Sequence, residues 1–124
     1  IERDYLEAQK GFINQCWKSV IILSGGMIEA ILLDQLEQNE TSAKQAKAAP
    51  RVNDLRKWHL ADLIEVAVEL KVVNAGVSGL SHPVREYRNL VHPGNQLRNN
   101  ISADREEARI ALEILHMVHR DLSK

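Results

Sequence analysis

The stretch from Ser81 to Gly94, SHPVREYRNLVHPG, gathers four side chains able to hold a phosphate ester or move a proton: Arg85, Arg88, Asn89 and His92. A guanidinium grips phosphate oxygens in a fixed fork, and an imidazole exchanges protons near neutral pH. Pro83 suits a first helical turn and Pro93 disfavours helical geometry at His92, so the prolines predict a helix of about three turns between them. On such a helix the four residues fall at i, i+3, i+4 and i+7, and therefore on one face. Val84, Leu90 and Val91, with Tyr87 nearby, supply the packing side. A base, positive charge for a phosphorane and an orienting amide are sufficient to cleave RNA through its own 2′-hydroxyl without metal. DNA lacks that hydroxyl and is expected to resist.

The same residues also admit a structural role. Asn89 and His92 would then satisfy loop carbonyls, and the arginines would pair with Glu29, Asp34, Glu65 or Glu69 on neighbouring helices.

The elements that must position this segment read as helices throughout. Over residues 1–40, Leu6, Phe12, Cys16, Val20, Leu23, Met27, Ile31 and Leu36 step mostly by three or four, interrupted only by Ser24-Gly25-Gly26. Those glycines cost about 1 kcal/mol each in a helix interior. Close approach of another helix, within the chain or across a dimer axis, is the favoured compensation, with a break into two helices and a place beside a functional cleft as the alternatives. Cys16, the single cysteine, is expected to be a buried structural thiol. Residues 39–53 read as an exposed connection, partly helical, whose Lys44, Lys47 and Arg51 form a solvated basic loop. A second helix runs from about Leu55 or His59 to Leu70, with Trp58 as a core anchor at its start. Turn residues between Asn74 and Gly79 lead into the central segment, and residues 95–101 read as loop. The last helix runs from about Ala103 to Leu122 behind Ser102 as N-cap, burying Ala108, Ala111, Leu115, Val118 and Leu122. The expected fold is all-α, an antiparallel bundle of four to five helices in one domain.

Composition narrows the function classes. The 124 residues carry a net charge of −1, which argues against bulk electrostatic binding of nucleic acid. The charge is uneven: residues 1–40 are net acidic, while residues 41–100 carry nine basic against five acidic side chains. An anion would meet the middle third. The longest apolar run, Val20–Leu23, is too short to span a bilayer, so no membrane association and a cytoplasmic location are expected. The chain begins at Ile1, which suggests a piece of a longer protein. There is no phosphate loop, no Cys-x-x-Cys and no pair of Glu-x-x-His motifs of the kind a di-iron bundle needs, and no metal or cofactor is expected. His116 and His119, three apart, read as solvated surface histidines rather than a metal pair.

Arg85 followed after six residues by His92, with Asn89 between them in an all-helical frame, resembles the active-site signature of the HEPN superfamily. Arg88, directly followed by Asn89, is the alternative counterpart of the motif arginine. The resemblance implies a metal-independent endoribonuclease of toxin–antitoxin or phage-defence type, with a composite site in a homodimer. Arg85 would bind the scissile phosphate, His92 would act as acid/base or phosphate ligand, and Asn89 would orient them. Arg88 and Arg98 would contact RNA, and an antitoxin or effector domain would be a partner. The superfamily equally contains non-catalytic members that bind or dimerise.

Overall fold

The first helix ends earlier than its apolar stripe does. In the computed structural model, which describes residues 2–80, 82–85, 87–91 and 103–122, α1 spans Glu2–Ile13 and α2 spans Trp17–Glu37. Between them Gln15 takes the left-handed conformation at φ 63°. The Cys16 N–H donates to the Gly11 carbonyl at 2.8 Å and the Gln15 N–H to Phe12 at 3.2 Å. That pair of bonds is a Schellman closure, made here without the usual glycine. It leaves Cys16 exposed at the start of α2, correcting the expectation of a buried thiol.

The Ser24-Gly25-Gly26 sequence does not interrupt α2, which runs straight through it for 21 residues, roughly 30 Å. Val20, Ile21, Met27, Ile28, Leu32 and Leu36 are all buried, so α2 is the central helix of the bundle. By length and apolarity alone α2 could cross a membrane, a property that counting only Val20–Leu23 misses. Its interior side chains form the core against α1, α4 and α7, the last two being Leu60–Glu69 and Arg105–Leu122. Gly11 faces Val20, while Tyr5 lies with Met27 and Ile31, so α1 is antiparallel to α2. Arg105 sits over the Phe12 ring and Tyr5 meets His116, so α1 is antiparallel to α7 as well. Among the described residues there are helices and turns and no strand, the all-α bundle the periodicity predicts.

Among the described residues, the connections between α2 and α4 are tied down by side chains. A short α3, Glu40–Gln45, buries Ala43, and the Glu69 carboxylate then accepts the Lys47 and Ala48 N–H groups at 2.7 and 3.0 Å. Trp58 is buried as expected and donates its indole N–H to the Val52 carbonyl at 2.8 Å. Asp62 accepts the His59 N–H at the start of α4, and a second Schellman closure ends that helix, with Lys71 at φ 60°. Asp104 caps α7 by accepting the Glu107 N–H at 2.8 Å, while Ser102 lies outside the described residues. Leu122 is only partly buried; Ile114 takes the core position instead.

The central segment departs from the three-turn helix. A five-residue α5, Gly76–Leu80, precedes a four-residue α6, His82–Arg85, and Tyr87–Val91 forms a 3-10 turn. Val84, Leu90 and nearly all of Tyr87 are buried. The two glycines of α2 differ sharply in what they face. A Cβ on Gly25 would lie 2.7 Å from Cδ1 and 2.8 Å from Cβ of Tyr87, whereas one on Gly26 would meet nothing within 4 Å. Close approach is therefore the compensation for Gly25, and it comes from within the chain. Gly25→Ala is expected to destabilise by about 1–3 kcal/mol through overpacking, and Gly26→Ala to stabilise by up to about 1 kcal/mol through helix propensity. Urea unfolding midpoints measure both; equal shifts for the pair would contradict the contact.

Candidate functional site

Two arginines and two glutamates dominate the surface of the central segment. Arg85, at the end of α6, reaches back to α4 and ion-pairs with Glu65. Ser78 on α5 donates its hydroxyl to the same Glu65 oxygen at 2.7 Å and receives an Arg85 N–H at 3.4 Å, so three short elements converge on one carboxylate. Arg88, three residues later, turns to α2 and pairs with Glu29. The Tyr87 hydroxyl donates to the other oxygen of Glu29, and the Arg88 Nε–H points to the Tyr87 oxygen at 3.4 Å.

The local sequence explains why Tyr87 lands there. Gly25 and Glu29 are four residues apart and so occupy one stripe of α2. The ring lies in the gap over Gly25, and its hydroxyl reaches the carboxylate one turn further on. The Glu29 side chain is 14% exposed, so its charge is only partly solvated, and the Arg88 guanidinium balances it from the solvent side. Burial, and then the hydrogen bond to Glu29, raise the Tyr87 hydroxyl above its ordinary pKa of 10.0, with Arg88 acting in the opposite direction. Hydrogen bonds to Tyr87 and then Glu29 raise Arg88 further above its already high value.

This arrangement revises the expected site. Arg85 and Arg88 do not share a face of one helix; they diverge toward α4 and α2 because α6 gives way to a 3-10 turn. Of the four carboxylates expected to serve as structural partners, Glu29 and Glu65 do so. Glu69 binds loop N–H groups instead, and Asp34 meets Gln38. Asn89 lies in the 3-10 turn with its side chain outside the description, and His92 and Arg98 are outside the described residues altogether. Ser78 and the decisive role of Tyr87 were not foreseen. The signal available in the sequence is the spacing of Gly25 and Glu29, which sets a gap and a carboxylate on one stripe of α2. His116 and His119 lie on the far side of α2, beside Tyr5. No group of three or more metal-binding His, Cys, Asp or Glu side chains occurs among the described residues.

Neither family models, nor curated proteins, nor solved structures give a match to this chain.

The raised Tyr87 pKa fixes a sign. The folded state holds that proton more tightly than the unfolded chain does, so the contribution is intact below pH 10 and is lost as pH rises through and beyond it. The stability gap between wild type and Tyr87→Phe should therefore be constant near neutrality and narrow above pH 10, read by thermal unfolding across the alkaline range. A gap that stays constant there would remove the hydroxyl from the cluster.

Proposed function

We propose that this chain is a HEPN-like helical module that acts by binding and self-association and does not itself cut RNA. The supporting observation is that each arginine of the motif region already holds a carboxylate: Glu65 on Arg85 and Glu29 on Arg88. A scissile phosphate arriving at either guanidinium meets a fixed negative charge. That repulsion offsets part of what the guanidinium offers in return, most at Arg85, the less exposed of the two. The arginines instead fasten the short 76–91 segments to α4 and α2, which suits a scaffold whose business lies at other surfaces.

A second reading is the metal-independent endoribonuclease, with Arg85, Asn89 and His92 as the catalytic group and Arg88 and Arg98 holding RNA in a homodimer. Its support is that the Arg88 side chain is 65% exposed, and solvent-facing ion pairs exchange partners at little cost. An antitoxin or effector domain in a cytoplasmic defence system belongs to that reading.

One experiment separates the two: RNA is incubated with wild type, Arg85→Ala and His92→Ala in EDTA, alongside thermal unfolding and sedimentation. The module reading expects no cleavage by any of them, self-association of the wild type, and a melting temperature for Arg85→Ala lower by about 3–6 °C, the effect of losing roughly 1 kcal/mol in a domain this size. Wild-type cleavage leaving 2′,3′-cyclic phosphate ends, lost in a fully folded His92→Ala, would replace it with the ribonuclease.

A further inference from the structure

The face of α2 opposite Tyr87 carries a different construction. At 100° per residue, Met27 and Ile31 stand on the order of 200° around the helix from Gly25 and Glu29. There the N-terminal half of α1, the middle of α2 and the C-terminal half of α7 enclose a cleft of about 590 Å³. That volume lies within the range of small-molecule sites. Its floor is aliphatic: Met27 and Leu115 are buried and Ile31 is partly so. Tyr5, His116, His119 and Arg120 make the rim, and among the described residues the lining itself includes no acidic side chain.

The rim is organised rather than a scatter of surface residues. The Tyr5 hydroxyl is hydrogen-bonded to Nε2 of His116, with the two rings 5.3 Å apart, which ties α1 to α7 along one edge. Arg120 lies one turn further along α7, its guanidinium held by Asp121 at 3.2 Å while the other oxygen of that carboxylate accepts the Asn74 N–H at 2.8 Å. An anion at Arg120 therefore competes with Asp121, which engages the guanidinium through its Nε–H; this side chain is 58% exposed and has further N–H donors to offer. His119 and Arg120 also lie in the last turn of α7, where they counter the negative end of the helix dipole.

From this we infer that the cleft binds a small amphipathic anion, an apolar body seated on Met27, Ile31 and Leu115 with a single carboxylate or phosphate group facing Arg120 and the histidines. An apolar floor supplies affinity, and one charge-assisted contact fixes orientation. The site is independent of the Arg85 and Arg88 cluster and of what that cluster does.

Calorimetric titration with three ligands of equal chain length, decanoate, decyl phosphate and decanol, tests it. Both anions should bind wild type at least about tenfold more tightly than the alcohol, the effect expected of one charged hydrogen bond. The tighter of the two anions identifies the headgroup. Arg120→Ala should erase that preference with only a small fall in melting temperature from the lost ion pair with Asp121, and Ile31→Trp, which fills the floor, should weaken all three. Absence of anion binding, or equal binding of decanol and the anions by wild type, would overturn the proposal, as would an anion preference surviving in Arg120→Ala.

Discussion

The insertion of Tyr87 across α2 at Gly25 is the constraint from which the arrangement of the central segment follows. A ring can lie that close to a helix axis only where the helix has no side chain. Once it lies there it is nearly buried, which stabilises the fold by about 1.5–3 kcal/mol for a residue of that size, but it carries a hydroxyl that must find an acceptor. Glu29, one turn along, provides it. A carboxylate so little exposed then requires a cation, and Arg88 is the next residue after the tyrosine. Each step creates the need that the following residue meets, so glycine, tyrosine, glutamate and arginine form one structural unit.

That logic bears on how the arginines should be understood. Their proximity to Asn89 and His92 in sequence suggests a chemical kit, because spacing along one helix is an economical way to gather functional groups. Here the partners that decide their chemistry come from 20 and 59 residues away. A guanidinium engaged by a carboxylate can still bind an anion, but it does so in competition. The net charge offered by the two pairs is zero, and the basic excess of the middle third of the chain is correspondingly blunted at this point.

Much of the fold was legible because it rests on periodicity. The apolar steps of α2, α4 and α7 are regular enough to name the core, and Trp58 is where a buried indole was expected. The boundaries were harder, for a physical reason. Both Schellman closures use Gln15 and Lys71 in place of glycine, so the left-handed residue that ends α1 and α4 leaves no mark in composition. The missed break at residues 14–16 is also why Cys16, placed in a continuous apolar stripe by its spacing, lies outside the core. The central segment differs for another reason: a proline in the first turn of α6 does not say whether the turns after it are α or 3-10, and that difference of geometry sends Arg85 and Arg88 to separate helices.

The two constructions on α2 share a wall without being bound to act together. Gly25 and Glu29 receive Tyr87 on one side, while Met27 and Ile31 floor the cleft on the other, interleaved along the same two turns. Interleaving by itself transmits nothing, since coupling between sites requires the shared element to have two discrete arrangements that both sites bias. A long helix packed against several others is poorly suited to that, because shifting it would disturb packing against α1, α4 and α7 at once. An occupant of the cleft would therefore act through mass action on the whole fold, adding stability in proportion to its saturation while leaving Arg85 on Glu65 and Arg88 on Glu29.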